Sequence, residues 1–181
     1  MGGDCNIMGA FSSGGGGGGA VWEELANVSA ASAASIASGT IDAKKFLDIQ
    51  VYAHSASGTG QNWQLNFNSD TYNDGNSKYA TQETQSASHG TAGRASQPTW
   101  YWGVGHTNAV EFYGHTYIVN HTDEMKIGLP MDVTIGFTDA TTAPYSQFMR
   151  GVWNDTAQIT AITASMSTGS ADWFMYVMGH D

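Results

Sequence analysis

Two segments with alternating side chains constrain this chain more than any other part of the sequence. Residues 46–54 alternate, with one face made of Leu47, Ile49, Val51 and Ala53. Residues 63–68 alternate in the same way, with one face made of Trp63, Leu65 and Phe67. Successive strand side chains point to opposite faces, so this period of two predicts two half-buried strands. The small, Gly-containing segment 55–62 is typical of an antiparallel connection, and the whole predicts a β-hairpin that seeds the core.

The composition extends this interpretation to the rest of the chain. Hydrophobic residues make up 41% of the 181 residues and charged residues only 12%, with 23 glycines. Helices favour Glu, Lys, Leu and Ala, so a chain rich in Gly, Ser, Thr and Asn favours short strands and turns. About nine to eleven strands at sandwich-like spacing are expected. We therefore expect an all-β fold, a jelly-roll-like antiparallel β-sandwich over residues 22–181.

Further strands are predicted in the second half of the chain. Residues 79–84 are expected at a sheet edge, and residues 108–121 give the longest clean alternation. Two further strands, 125–129 and 133–137, are expected around Pro130. Residues 173–178 are apolar on both faces. That pattern indicates a strand packed on both sides, or a closing strand at a subunit contact.

Residues 1–21 form a separate zone. Six glycines at positions 14–19 follow a short apolar patch made of Ile7, Met8 and Phe11. A glycine run has great backbone freedom and holds no structure alone. The sequence therefore predicts a flexible Gly-rich N-terminal arm. It is either a disordered tail or a tether whose apolar patch anchors the protein to a particle.

Charge and cysteine content exclude several functions. Sixteen acidic residues against six Lys and Arg give a formal net charge of −10, and the basic stripe of a nucleic-acid binder is missing. Cys5 is the single cysteine, so a disulfide within the chain is excluded. We expect no secretory leader, because no charged segment followed by an apolar run opens the sequence, and no apolar run is long enough for a membrane span. We expect a soluble protein made in a cytoplasm, with neither nucleic acid nor membrane as a partner.

Catalytic and metal-binding patterns are weak. The sequence lacks a nucleophile elbow, a phosphate-binding loop and a zinc-protease helix. A zinc site from His106, His115, His121 and Glu111 is disfavoured, because about 20 Å separates His115 from His121 on a straight strand. The polar segment 68–75 fails the spacing of a calcium loop. We predict no catalytic residue, metal or cofactor.

Aromatic side chains offer a candidate sugar-binding platform at Trp100, Tyr101 and Trp102. A flat apolar ring stacks well on a sugar when it is exposed. Burial in the core is the competing interpretation, since large aromatic residues are mostly buried. Both interpretations stay open on the sequence alone.

A second candidate surface is an oligomer interface. A sandwich covers one face of each sheet, so outward apolar residues predict contact with another copy. The predicted interface residues are Tyr113, His115, Tyr117, Phe174 and Tyr176. Histidines within such an interface begin to charge near about pH 6. The expectation is a homotrimer that loosens on mild acidification.

Residues 13–80 contain a characteristic order of short segments: the Gly-rich stretch 13–19, Trp22-Glu-Glu-Leu, Ala34-Ser-Ile-Ala-Ser-Gly, Ile41-Asp-Ala-Lys-Lys-Phe-Leu-Asp-Ile-Gln-Val, Leu65-Asn-Phe-Asn-Ser-Asp and Asn76-Ser-Lys-Tyr79. This order resembles that of small β-sandwich proteins among the virion structural proteins of tailed bacteriophages. The resemblance implies a non-enzymatic capsid decoration (cement) or fibre-type subunit, assembled into the virion in the host cytoplasm. Its implied partners are copies of itself and the major capsid or tail proteins. A carbohydrate-binding module for host-surface glycans and, more remotely, a glycan hydrolase fragment are the alternatives.

Overall fold

The computed structural model describes residues 21–54, 56–57, 61–70, 79–85, 91–97, 99–106, 111–135 and 145–181. The strands in these ranges are β1 (Glu23–Ala33), β2 (Ser35–Thr40), β3 (Phe46–His54), β4 (Gln61–Phe67), β5 (Tyr79–Gln85), β6 (Thr91–Gln97), β7 (Trp100–His106), β8 (Glu111–Val119), β9 (Lys126–Ile135), β10 (Tyr145–Trp153), β11 (Ala161–Met166) and β12 (Ala171–His180). All pair antiparallel. The expected all-β, antiparallel sandwich is confirmed. Within these ranges, no helix is long and apolar enough to cross a membrane.

The strands form two sheets. The larger sheet has the order β1-β12-β3-β8-β9-β10-β5-β6, and the smaller sheet has the order β2-β11-β4-β7. The pairing is nested: β1 pairs with β12, β2 with β11, β3 with β8, and β4 with β7. Strands β5, β6, β9 and β10 widen the larger sheet beyond this nested set.

The predicted hairpin between residues 46–54 and 63–68 is wrong. β3 lies in the larger sheet between β12 and β8, whereas β4 lies in the smaller sheet between β11 and β7. The apolar faces themselves were predicted correctly, because all seven residues of the two sets are fully buried. The two strands bury these faces between the packed sheets instead of lying side by side in one sheet.

Two other strand predictions need correction. β5 is not an edge strand, because β6 pairs with its outer side. Residues 126–135 form one strand, and Pro130 lies inside it, opposite Thr116 of β8. The proline removes one N–H from the ladder. β9 nevertheless pairs with β10 on both sides of it, at Met131–Phe148 and at Gly128–Gly151.

Aromatic side chains fill the space between the sheets. The fully or almost fully buried tryptophans are Trp63, Trp100, Trp102, Trp153 and Trp173. The ring of Trp63 stacks on Phe112 with centroids 4.2 Å apart and 10° between the planes. The indole N–H of Trp102 donates to the hydroxyl of Thr116. A buried polar group is costly without a partner, so this bond stabilises Trp102 inside the core.

Two glycines make room for the indole of Trp100. A Cβ at Gly151 would lie 2.2 Å from two ring carbons of Trp100, and one at Gly128 would lie 3.0 Å from Cη2 of the same ring. Side chains larger than hydrogen at these positions would collide with the ring. The indole therefore packs directly on the backbone of β9 and β10.

Two asparagines hold the connection between β10 and β11. The Oδ1 of Asn68 accepts the backbone N–H groups of Thr160 at 2.8 Å and Ala161 at 3.1 Å. The Oδ1 of Asn120 accepts the N–H of Ile159 at 2.7 Å. Asn68 has a φ of +52°, a conformation that asparagine tolerates better than most residues. The connection is thus tied to both sheets.

Candidate functional site

We define the outer face as the side of the larger sheet that points away from the core. Antiparallel register places outward side chains of neighbouring strands next to one another, in rows across the sheet. One row is Phe174, Tyr52, Tyr113 and Val133. The next row is Tyr176, Gln50, His115, Met131 and Phe148. A third row is Met178, Asp48, Tyr117 and Leu129.

We call the outward side chains of β12, β3 and β8 the aromatic half. Tyr52, His54 and Phe174 form a group of nearly parallel rings, with centroids 5.8–6.2 Å apart and planes within 29° of one another. Phe174 is 49% exposed and Tyr52 is 37% exposed. Exposure of such large apolar rings to water is unfavourable in free energy. Burial against another surface would remove this cost.

A second aromatic group lies at the opposite end of the same strands. The ring of His180 stacks on Phe46 at 4.7 Å and meets Trp22 edge-on at 4.4 Å. Tyr117 lies 6.0 Å from Trp22 and 6.2 Å from Phe46. Trp22 precedes β1, so the chain enters the described fold beside the outer face.

A polar group separates the two aromatic groups. The Nε2 of His115 lies 2.9 Å from Oδ2 of Asp48. The side-chain amide of Gln50 donates to Oδ1 of Asp48 at 3.2 Å, and its oxygen accepts the Tyr113 hydroxyl at 3.3 Å. Hydrogen bonds therefore link the four side chains into one connected group.

The His115–Asp48 pair shifts the protonation equilibria of both groups. Burial raises the pKa of Asp48, but the hydrogen bonds from His115 and Gln50 outweigh burial and hold the pKa below its ordinary value. The hydrogen bond to Asp48 raises the pKa of His115, although burial opposes it. Both shifts favour an imidazolium paired with a carboxylate. Asp172, with Oδ2 3.8 Å from Nε2 of His54, and Glu111 are further acids of the aromatic half.

We call the outward side chains of β9 and β10 the aliphatic half. Ile127 is 58% exposed, Leu129 53%, Val133 40% and Phe148 59%. Arg150, which is also exposed, is the one charged residue among the outward side chains that the structure describes on these two strands. The aliphatic half is therefore an open apolar surface with a single cation.

The dimensions of the outer face are those of a protein contact. Neighbouring strands lie about 4.8 Å apart and each residue adds about 3.3 Å along a strand. The five strands from β12 to β10 therefore present a surface of roughly 24 by 30 Å. That is close to the ~800 Å² that one partner contributes to a standard interface.

The structure brings together all five residues of the predicted oligomer interface. Tyr113, His115 and Tyr117 lie on β8, and Phe174 and Tyr176 lie on β12, which β3 joins to β8. All five belong to the aromatic half. Their role in association stays a prediction.

The predicted sugar platform is wrong for two of its three residues. Trp100 and Trp102 are fully buried, so neither ring has a free face for a sugar. Close packing on Gly151 and Gly128 explains the burial of the Trp100 ring, and the hydrogen bond to Thr116 explains how the Trp102 indole is accommodated in the core. The side chain of Tyr101 lies outside the described part of the structure, as do the predicted anchor residues Ile7, Met8 and Phe11.

The sequence analysis missed the aliphatic half. Ile127, Leu129, Met131 and Val133 alternate with inward residues, which was a usable signal. Pro130 obscured that signal, because it divided the segment into two predicted strands. Phe148 of β10 gave no separate signal.

The structure also bears on the metal candidates. Among the described side chains, no three His, Cys, Asp or Glu residues lie close enough together to hold a metal ion. The Oδ2 of Asp70, in the segment weighed as a calcium loop, accepts the indole N–H of Trp153 at 3.0 Å. The rest of that segment, residues 71–75, lies outside the described ranges.

Comparison of the chain with models of protein families, with curated proteins and with solved structures found no match. Since no relative indicates a function, the exposed outer face is the feature of the described structure that bears on function.

Proposed function

We propose that this protein is a non-enzymatic structural subunit of a virion surface, of the capsid decoration or fibre type, that acts by assembling with copies of itself. The observation that carries the proposal is the aliphatic half, where three neighbouring apolar side chains are more than half exposed. Contiguous exposed apolar surface usually marks a site of contact with another molecule. The virion setting rests on the resemblance of residues 13–80.

The strand order supports this proposal. Two four-stranded orders, β1-β12-β3-β8 and β2-β11-β4-β7, lie within the two sheets. This nested arrangement of eight strands in two sheets supports the jelly roll that we propose for this chain, an architecture that many viral capsid proteins use. The extra strands β9 and β10 carry the aliphatic half, so the widening of the larger sheet supplies the apolar surface.

The chemistry of the polar group supports a non-enzymatic role. The Asp48 carboxylate accepts bonds from both His115 and Gln50, and Gln50 in turn accepts the Tyr113 hydroxyl. A general base has to direct a free lone pair at its substrate. Here the groups are directed at one another, which suits a surface that is to be covered.

The first test is the molar mass of the full chain in solution. Sedimentation velocity at neutral pH and micromolar concentration should give an oligomer, and the variant Leu129→Glu should give a monomer. The variant Ala37→Glu is the matched control, because Ala37 is exposed on the smaller sheet and its charge should leave the oligomer intact. A wild-type monomer under these conditions would contradict the self-assembly.

The second test is the location of the protein. Gold-labelled antibody against the chain should decorate intact phage particles, at the head for a decoration protein or at the tail for a fibre subunit. Labelling that is confined to cell lysate and absent from purified particles would contradict the virion setting. It would leave the solution assembly untouched.

A further inference from the structure

We infer that copies of this chain assemble head to tail, with the aromatic half of one copy packed on the aliphatic half of the next, in a closed ring. The inference rests on the proposed self-assembly and names the partner of each half of the outer face. Its occupant is a second copy of this chain.

The first argument is the unequal charge of the two halves. The aromatic half carries the carboxylates of Asp48, Glu111 and Asp172, whereas the aliphatic half carries the guanidinium of Arg150. Basic residues are scarce, at six in the chain. The exposed cation therefore complements the acids of a neighbouring copy, and attraction between unlike charges helps to select that pairing.

Of the other described lysines, Lys45 is exposed just before β3, and two are already engaged. The Nζ of Lys44 lies 3.0 Å from Glu23 and 3.4 Å from Asp181. Lys126 is fully buried and donates to the backbone carbonyls of Glu124, Asp155 and Thr156. Arg150 is thus well placed, by its exposure among apolar side chains, to meet an acid of another chain.

The second argument is what a symmetric two-fold contact would do. A two-fold contact brings the same patch of both copies together. Aromatic half on aromatic half would bring together two surfaces that each carry Glu111 and Asp172 beside the Asp48–His115 pair, in a chain that already carries a net charge of −10. Aliphatic half on aliphatic half would face Arg150 with Arg150 and would leave Phe174 and Tyr52 open. A head-to-tail contact covers both halves and pairs unlike charges.

The third argument is geometric. Neighbouring strands of a sheet rotate by roughly 20° relative to each other. Over the strands from β12 to β10 this twist turns the two halves away from a common plane, so they face two different neighbours. A head-to-tail contact closes into a ring when its rotation divides a full turn, and otherwise it gives an open filament. The trimer expected from the sequence is such a ring.

The test uses two full-length variants that each block one half. Phe148→Glu places a charge in the aliphatic half, and Phe174→Glu places one in the aromatic half. Both side chains are about half exposed or more, so the fold should survive, which circular dichroism and the melting temperature will verify. Leu129→Glu and Tyr52→Glu form a second pair, to be used if either first variant fails to fold.

A head-to-tail contact predicts a particular result on mixing. Each variant alone should be a monomer, because one of its two contact surfaces is blocked. An equimolar mixture should give a one-to-one heterodimer that grows no further, because each variant contributes its intact half to one shared contact. Native mass spectrometry with one variant ¹⁵N-labelled distinguishes this heterodimer from homodimers.

The outcomes separate this inference from the proposed function. If the wild type assembles but the mixture stays monomeric, the head-to-tail arrangement is wrong and the self-assembly stands. If one variant still assembles like the wild type, the half that carries its substitution is not needed for the contact, and the inference is likewise wrong. If the wild type is a monomer, the proposed self-assembly fails, and the inference fails with it.

Discussion

Replacing Gly151 with alanine should destabilise the fold through one contact, with Trp100. The added Cβ would lie 2.2 Å from two carbons of the indole, whereas ordinary contact begins at 3.4 Å. Trp100 is fully buried and also lies close to Gly128, so the ring has little room to retreat. Overpacking of this kind typically costs 1–3 kcal/mol, and the short distance places Gly151→Ala at about 3 kcal/mol.

A smaller effect opposes this cost. Alanine restricts the unfolded chain more than glycine does and fits a strand better, which contributes about 0.5–1 kcal/mol in favour of folding. The net expectation is a loss of about 2 kcal/mol in the free energy of unfolding. Urea unfolding at one fixed protein concentration, followed by tryptophan fluorescence and circular dichroism, measures it.

A double-mutant cycle with Trp100→Phe tests the stated cause. Phenylalanine removes the part of the indole that the new methyl group would strike, so the two substitutions should cost at least about 1 kcal/mol less together than their sum. Gly39→Ala is the control: at Gly39 no atom lies within 4 Å of the added Cβ and φ is +72°. Its cost should add to that of Trp100→Phe. Additivity for Gly151→Ala, or a loss below about 0.5 kcal/mol, would refute the reasoning.

Because the pKa of His115 is raised in the folded state, this group stabilises the fold at pH values below its ordinary pKa of 6.5. The contribution is lost as the pH rises through the folded pKa. Because the pKa of Asp48 is lowered in the folded state, this group stabilises the fold at pH values above its ordinary pKa of 3.8. That contribution is lost as the pH falls through the folded pKa. Both contributions are present between 3.8 and 6.5, so urea unfolding should show a larger cost of His115→Gln at about pH 5.5 than at about pH 8.5; an equal cost would contradict the pairing. Asn68→Ala should lower the free energy of unfolding by about 2–3 kcal/mol, because it leaves the N–H groups of Thr160 and Ala161 without their acceptor; the exposed neighbour Ser69→Ala is the control, and equal losses for the two would reject this role. Deleting residues 1–20 should leave the melting temperature unchanged and abolish co-sedimentation with phage particles, if Ile7, Met8 and Phe11 anchor the protein; undiminished co-sedimentation would reject the anchor.

The sequence predicted which side of each strand is buried better than it predicted which strands are neighbours. Leu47 and Trp63 were both placed correctly in the core, yet their strands belong to different sheets. Alternation records how each strand divides its side chains between two environments. It carries no information about strand order, which depends on contacts between residues far apart in the chain, such as Trp173 and Ala33, 140 residues apart.

The same distinction explains the result for the candidate site. Tyr113 could be found because it is a large ring on the face opposite a clear core face, and Phe174 because it belongs to a strand that is apolar on both faces. The burial of Trp100 could not, because the space for its ring is made by Gly128 and Gly151, which are close to it only in the folded state. Pro130 hid the aliphatic half because proline inside a strand contradicts the usual preference of that residue.

Nested pairing also decides when the fold can form during synthesis. β12 is the neighbour of both β1 and β3, and it comes after the other eleven described strands in chain order. Contacts between residues so far apart in the chain form slowly, because the intervening chain loses entropy on closing before any stabilising bond is made. Until β12 joins, the edges of β1 and β3 that it pairs with have no hydrogen-bonded neighbour. The nascent chain is then at its most exposed to aggregation, and rapid synthesis of β12 shortens that period.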